Sequence, residues 1–392
     1  MYYFEITLTM LFLVYLKIFI RIFSKNIKAT AISILIPLTS LTFGIIIQKK
    51  FNMPVNCLLI ITGIIIVIIA ISSITKLKII QMLSISVIPI AIGAILLYKQ
   101  ENEFKSKIKF IPTKNINLIG EVLGKENKEP YKEIIKIELK KLFRNSYFKY
   151  FNKSEKIILY SKNETTINPG DIINVQQINL SIPNQNVALN GNPSFRDYVI
   201  KENIIATSFI NNPKYEIIEP QNRSTFSKLI RWKNYLYKKI KNKFSKKTFS
   251  YFSSIFLGNK SNNLNQKEKN YFMFWGISHY LARSGLHIAI FILIWDIILS
   301  LMPLYFFLKQ IIFVSICLIY ATISWSSISF LRALTVFLLY KIGKILNKQT
   351  NILYLLSITC MFYLCMNPYL LFFLDFQLSF GLTIAIAASF SK

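Results

Sequence analysis

A short polar stretch at positions 279–287 contains the residues of this chain that are best suited to bind a charged ligand. It holds both histidines of the protein, His279 and His287, together with Arg283, Ser284 and Gly285. If the chain is helical from position 278, the two histidines and Arg283 are spaced by four and share one face. If a helix starts at Ser284 instead, that serine is a suitable N-cap. The backbone amides that follow it would then attract an anion such as phosphate.

The same residues also suit a structural role. His279 and Arg283 fit snorkelling positions at a membrane interface, and Gly285 fits a helix-packing position. Arg332 and Asp375, which lie in the apolar C-terminal region, can likewise have a functional or a structural role. Such charges either line a pore or pair with one another. The spacing leaves both interpretations open. A catalytic histidine is disfavoured, since no nearby carboxylate would orient it.

The elements that position these residues are apolar segments long enough to cross a bilayer, which takes about 20 residues. Apolar residues make up 53% of the chain, and the mean hydropathy is +0.43. Uncharged segments occupy residues 55–74, 79–98, 310–330 and 352–374, and weaker candidates lie at 2–20, 31–47, 286–307, around Arg332 and at 376–390. This pattern predicts a polytopic α-helical membrane protein that crosses its membrane several times.

Residues 99–222 are polar and show the pattern of a small β-domain inserted between membrane regions. Alternating runs predict strands at 117–123, 131–139, 156–160, 171–180, 204–210 and 214–218, with turn residues at 124–130 and 168–171. Short strands in this number favour an OB-like β-barrel. About four spans are predicted in residues 1–98, and the basic residues in their loops place this all-β domain on the extracytoplasmic side.

A basic segment at residues 223–247 follows, with ten basic residues, interleaved aromatic residues and no acidic residue. It predicts a juxtamembrane helix that lies on anionic lipid. Alternatively, it forms a track for a nucleic-acid backbone, and the two roles can coexist. The residues expected to make these contacts are Arg223, Lys228, Arg231, Trp232, Lys233, Lys238, Lys239, Lys241 and Lys243.

The composition excludes several other functions. The net charge of +29 reflects in part a lysine-rich composition, so it does not by itself indicate a nucleic-acid partner. With two histidines and no cluster of metal-ligating residues, neither a metal site nor a cofactor is expected. The chain has no phosphate-binding loop of the nucleotide-hydrolysing type. We therefore expect a protein that is not an enzyme.

Six stretches of the chain resemble, in order, motifs of the ComEC-type competence proteins, the inner-membrane channels of bacterial natural transformation. They lie at residues 192–198, 255–260, 276–287, 330–333, 367–368 and 376–380. The longest reads Gly-Ile-Ser-His-Tyr-Leu-Ala-Arg-Ser-Gly-Leu-His and resembles the signature of the family. By this resemblance, motif positions of the channel region are occupied by Ser284, Gly285, His287, Arg332, Gln377 and Ser379.

The resemblance implies a channel that carries single-stranded DNA across the cytoplasmic membrane. The domains are then spans at 1–98, the OB-like domain at 99–222, the basic helix at 223–247 and a competence-type transmembrane domain at 248–392. The implied partners are membrane lipid, an extracytoplasmic DNA receptor and a cytoplasmic helicase or ATPase, and a homo-oligomer is left open. The alternative is a membrane transporter or envelope-assembly protein whose β-domain binds a non-DNA polymer or a partner protein.

The chain also departs from the pattern of the family. Arg283 stands where a small or apolar residue is expected. The chain ends twelve residues after Phe380, without the metallo-β-lactamase-like domain that many relatives carry. The chain has no His-x-His-x-Asp-His metal motif, so we expect a short form without nuclease activity. Whether this short ending is natural, the result of a split gene or a truncation is left open.

Overall fold

The computed structural model describes most of the chain after residue 31. The described residues are 32–54, 57, 63, 67, 78–109, 111–128, 131–144, 147–150, 155–182, 194–210, 214–218, 225–258, 266–277, 285–324, 327–346, 348 and 350–390. They fall into two compact units. The first comprises the described residues of Met1–Glu103 and Thr335–Lys392, and the second comprises those of Phe104–Leu334.

Helices form most of both units. In chain order they are α1 (Ile32–Phe51), α2 (Lys78–Ile108), α3 (Phe195–Glu202), α4 (Thr225–Lys243), α5 (Lys246–Phe252), α6 (Gln266–Phe274), α7 (Gly285–Leu301), α8 (Phe306–Ile323), α9 (Ile328–Ile345), α10 (Ile352–Met366) and α11 (Leu374–Phe390). A π-helical segment (Ser253–Leu257) follows α5, and a 3₁₀ helix (Pro368–Phe372) follows α10.

Among the described residues, seven strands form one mixed sheet in the second unit. They are β1 (Ile116–Lys128), β2 (Tyr131–Arg144), β3 (Tyr147–Tyr150), β4 (Lys156–Ser161), β5 (Ile172–Ile178), β6 (Ile204–Ile210) and β7 (Tyr215–Ile218). Six of them coincide with the strands predicted from alternation. The sequence analysis missed β3, which is only four residues long and has no alternating pattern.

The sheet has the order β6-β4-β2-β1-β5-β7, and β3 pairs with β2. Neighbouring strands are antiparallel except β4 and β6, which run parallel. One face covers a core of buried aliphatic side chains, including Leu118, Ile137, Leu159 and Val175. A closed barrel would require the two edge strands to pair, and the pairings among described residues do not include one between β6 and β7. The OB-like barrel therefore stays a prediction.

Two sequence motifs form well-defined local structures in this unit. Ser194 is the N-cap of α3, and Asp197 completes a capping box with it. The predicted turn at 168–171 is confirmed, because Gly170 has a φ of +89° and the amide of Asp171 donates to the carbonyl of Asn168. In contrast, β1 extends to Lys128, so the turn predicted from residue 124 is shorter than expected.

Among the described residues, α8 alone is long and apolar enough to cross a membrane, while α7, α10 and α11 are shorter apolar helices. The predicted span at 352–374 is interrupted, since α10 ends at Met366 and Pro368 begins the 3₁₀ helix. The predicted span at 2–20 lies outside the described residues, as does most of the span at 55–74. A polytopic arrangement therefore stays a prediction.

Helices α1 and α2 cross at two glycines in the first unit. A Cβ on Gly44 would lie 2.0 Å from the carbonyl oxygen of Ile90, and one on Gly93 would lie 2.4 Å from that of Leu41. The two backbones are thus closer than any larger residue would allow. Small residues of this kind are common where membrane helices pack.

We expect Gly44→Ala to lower the unfolding temperature of the protein in detergent. The new methyl group would overlap a backbone carbonyl, so the helices must separate, and overpacking of this kind costs about 1–3 kcal/mol. Gly381→Ala in α11 is the matched control, because nothing lies within 4 Å of its Cβ position. Equal unfolding temperatures for the two variants would show that the crossing does not stabilise the protein.

Candidate functional site

Gly285 is the first residue of α7. A helix that starts here is expected if Ser284 is the N-cap, and the first amides of such a helix have no partner within it. His279, Arg283 and Ser284 lie outside the described residues, so the cap and the shared helical face stay predictions. His287 lies in the first turn of α7 and is half-buried.

The structure brings Gly285 next to Arg332 of α9. A Cβ on Gly285 would lie 3.1 Å from Nη2 of Arg332 and 3.7 Å from Cβ of Ala333. The glycine therefore lets the beginning of α7 approach α9 closely enough to meet the guanidinium group. Gly285 and Arg332, which the sequence analysis identified separately, therefore lie next to each other.

The N-terminal end of α9 lies at the same place. The Ser327 hydroxyl, just before α9, accepts a hydrogen bond from the amide of Phe330 at 3.3 Å, as an N-cap does. The carbonyl oxygen of Ser329 lies 3.8 Å from the Cβ position of Gly285. Each helix N-terminus carries about half a positive charge. Two such ends and Arg332 form a positively charged site, the α7–α9 site (Gly285, Ser327 and Arg332), which can bind an anion such as phosphate.

Aromatic side chains hold the helices of this site together. The Tyr320 ring of α8 stacks on Phe291 of α7, with centroids 4.2 Å apart, and meets the buried Phe330 of α9 edge-on at 5.6 Å. Its hydroxyl donates to the carbonyl of Phe256 in the π-helical segment at 2.9 Å. The sequence analysis missed Tyr320, because an aromatic residue within an apolar helix gives no sign of which other helices it contacts.

One stripe of the basic helix α4 packs against the β-domain. The hydroxyl of Ser227 donates to the buried carboxylate of Glu121 at 2.5 Å. The side chain of Arg231 lies against Gly170, where a Cβ would approach its Cγ to 2.4 Å. Further along, Nζ of Lys238 donates to Oδ1 of Asn168 at 2.8 Å. Part of the segment predicted to contact lipid or DNA is therefore engaged with protein.

The remaining predicted residues of α4 have different surroundings. Lys233 donates to the carbonyl of Ser324, at the end of α8, at 2.8 Å, a favourable place for a cation. Of these remaining residues, the exposed ones are Lys228, Trp232, Lys239, Lys241 and Lys243, and Arg231 and Lys238 are exposed as well although they contact the β-domain. Arg223 lies outside the described residues. The exposed face can meet lipid headgroups or a nucleic-acid backbone, so both interpretations remain for it.

The predicted residues of α11 lie in the first unit. Asp375 is exposed in the first turn, where its carboxylate accepts a hydrogen bond from the amide of Phe376. Gln377 is exposed and donates to the carbonyl of Leu371 at 2.8 Å, and Ser379 is buried. Because Arg332 belongs to the second unit, the predicted Arg332–Asp375 ion pair stays a prediction.

A polar cluster in the first unit was not predicted from the sequence. The buried Tyr369 donates its hydroxyl to Glu101 at 2.6 Å, and Nζ of Lys49 lies 3.9 Å from that carboxylate and 4.7 Å from the centre of the Tyr369 ring. Beside it, Gln100 donates to Oδ1 of Asn367 at 3.1 Å. The cluster joins α1 and α2 to the 3₁₀ helix. It gives the motif at 367–368 a structural role, because Asn367 accepts the hydrogen bond from Gln100.

In the part of the chain that the structure describes, no group of histidine, cysteine and acidic residues could hold a metal ion. The Arg332 guanidinium and the two helix N-termini of the α7–α9 site offer hydrogen-bond donors and positive charge, which suit the binding of an anion.

Residues 255–392 match the family model described as Competence protein, which confirms the resemblance to competence proteins. No curated protein and no solved structure matches the chain. Gly285 and Arg332 lie within the matched residues.

Proposed function

We propose that this chain is the channel that carries single-stranded DNA across the cytoplasmic membrane, because residues 255–392 match the competence protein family and this match suggests a role in DNA uptake. The observation that carries the proposal is the α7–α9 site. Within the family region, two helix N-termini and Arg332 meet at Gly285, so positive charge and hydrogen-bond donors converge where a phosphate can be held. Each phosphate of a passing strand would bind there transiently and leave.

Exposed apolar side chains support a multi-pass position in the membrane. Along α11 they form a stripe at every fourth residue, consisting of Leu374, Leu378, Leu382 and Ile386. Helix α7 exposes Leu286, Ile290, Leu293, Ile294, Ile297 and Leu301 in the same way. A water-soluble protein rarely exposes contiguous apolar surface of this extent, whereas lipid covers it at no cost.

The other parts of the proposal follow the family. The β-domain, proposed as OB-like and extracytoplasmic, would receive the strand, and the exposed face of α4 would lie on anionic lipid beside it. An extracytoplasmic DNA receptor and a cytoplasmic helicase or ATPase would deliver and pull the strand. The channel itself would catalyse no reaction.

The test is transformation in a strain that lacks this gene and is complemented with these 392 residues. Labelled DNA is followed separately outside and inside the cytoplasmic membrane. We expect the deletion to leave DNA outside and the complemented strain to import it. Normal import in the deletion strain would contradict the proposal and favour a transporter of another polymer.

A further inference from the structure

Three aromatic rings cluster on the β-domain, one from each of three neighbouring strands. Tyr131, Tyr160 and Phe209, called here the aromatic patch, lie on β2, β4 and β6. The ring centroids are 5.0 Å apart for Tyr131 and Tyr160, 5.6 Å for Tyr131 and Phe209, and 4.9 Å for Tyr160 and Phe209. Phe209 is 57% exposed and the two tyrosines are half-buried. The patch is therefore open to solvent.

The pairing of the strands fixes this arrangement. Tyr160 and Phe209 are direct partners in the parallel pairing of β4 with β6. Their rings are nearly parallel, with an interplanar angle of 14°. β6 is an edge strand of the sheet. A cluster of three rings with one exposed member offers a flat apolar surface that a ligand can cover.

Lys136 borders the patch, since it lies on β2 two residues from the direct partner of Tyr160. Burial alone would lower the pKa of Lys136, but the neighbouring Tyr198 and nearby carboxylates raise it above its ordinary value. Nζ of Lys136 lies 3.5 Å from the carboxylate of Glu126, and both side chains are partly exposed. A phosphate of a bound ligand can therefore take the place of that carboxylate.

We propose that the aromatic patch stacks an unpaired base of single-stranded DNA and that Lys136 contacts a neighbouring phosphate. The inference rests on the proposed function and assigns to it a binding surface on the β-domain. Aromatic stacking needs the open face of a base, which a single strand offers and a duplex covers with its own neighbours. A neutral sugar polymer would also stack on such rings, but it could not replace Glu126 as the partner of Lys136. A phosphate can do so, and this favours a nucleic acid as the ligand.

The test uses the full chain in nanodiscs of uncharged lipid and a fluorescent thymidine oligonucleotide. Phe209→Ala and Phe209→Leu are expected to bind it roughly 5-fold to 100-fold more weakly, as for the loss of one base–aromatic stack. Phe209→Tyr keeps a ring and is expected to bind like the unchanged chain. Ile217→Ala on β7, which removes an exposed apolar side chain elsewhere on the sheet, is the matched control and should have no effect.

The salt dependence separates stacking from phosphate contact. Phe209→Ala should leave the slope of log affinity against log salt unchanged. Lys136→Met should reduce the slope by about 0.7, the value for one phosphate contact on a single strand. These two outcomes together would support the assignment of both roles.

Several results would overturn the proposal, and they differ from a failure of the proposed function. If Phe209→Leu binds as tightly as the unchanged chain, or if duplex DNA competes equally, the proposed stacking of a base is wrong. Neither result contradicts the proposed channel. If a neutral glycan displaces the oligonucleotide, the patch serves a sugar polymer. If the chain binds no single strand, the patch is wrong, whereas the proposed channel is judged separately by the import of labelled DNA.

Discussion

Replacing Arg332 by alanine is expected to reduce strongly the amount of labelled DNA that reaches the cytoplasm, while the amount of protein in the membrane stays the same. Arg332 is half-buried rather than part of the packed core, and it stands between the N-terminal ends of α7 and α9. Each hydrogen bond to a charged group contributes about 1.5–3 kcal/mol, so losing one should reduce import by roughly 10-fold to 100-fold. The measurement is labelled DNA inside the cytoplasmic membrane, normalised to protein in the membrane fraction.

Two further variants make the result specific. Arg332→Lys keeps the charge but loses the planar fork of donors, so it should import DNA at an intermediate level. Lys344→Ala removes an exposed positive charge from the same helix and should import DNA normally. If Lys344→Ala fails as well, the general charge of α9 matters and the position of Arg332 does not.

An ion pair between Arg332 and Asp375 predicts a different outcome. If such a pair held the fold together, removing either partner would lower the amount of protein in the membrane together with its activity. Asp375→Asn would then behave like Arg332→Ala, and exchanging the two residues would restore the amount of protein. An unchanged amount of protein in both single variants would exclude this structural role.

Gly285 offers an independent approach to the same site. A leucine there would extend into the position of the Arg332 guanidinium, which already lies 3.1 Å from the site of the missing Cβ. Gly285→Leu should therefore reproduce the loss of import seen for Arg332→Ala. If it imports DNA normally, the close approach of α7 to α9 is not needed for passage.

The β-domain was predictable from sequence because its signals are local. Alternating apolar residues and the turn at Gly170 are properties of neighbouring positions, and six strands were found in this way. The strand order was not predictable, since the parallel pairing of β4 and β6 joins segments separated by α3. The aromatic patch depends on that pairing, so sequence alone gave no indication that Tyr160 and Phe209 meet.

The α7–α9 site was predictable only in part for the same reason, since sequence patterns do not specify which distant segments meet. Apolar periodicity and the Ser-Gly step indicated that Gly285 and Arg332 were unusual, because polar groups in apolar segments are costly. Periodicity describes one helix at a time, however, and does not specify which helices pack together. The helices that carry the two residues both contact the ring of Tyr320, which packs between α7 and α9.

The basic helix α4 was only partly interpretable for a different reason. Charge counts treat each lysine or arginine as a surface group, yet their aliphatic stems can pack against protein. Arg231 does so against Gly170, and Lys238 bonds to Asn168. Two basic residues that the sequence assigned to lipid or DNA therefore also contact the β-domain, although both stay exposed.

Tyr369→Ala is expected to destabilise the first unit more than any other single change considered above. The ring is fully buried, so its removal leaves a cavity that costs about 3–5 kcal/mol. The hydroxyl also donates to Glu101 at 2.6 Å, and a hydrogen bond to a charged group adds about 1.5–3 kcal/mol. Lys49 would lose the ring beneath its ammonium group as well.

Tyr369→Phe separates these contributions, because it keeps the ring and removes only the bond to Glu101. We expect its unfolding temperature in detergent to lie between those of the unchanged protein and of Tyr369→Ala. Tyr363→Phe is the control, since it removes a hydrogen bond of 2.9 Å between neutral hydroxyls, with Thr335, and such bonds contribute only about 0.5–1.5 kcal/mol. If Tyr369→Phe is no less stable than Tyr363→Phe, the charge of Glu101 contributes nothing. The packing of the ring alone would then hold α1 and α2 against the 3₁₀ helix.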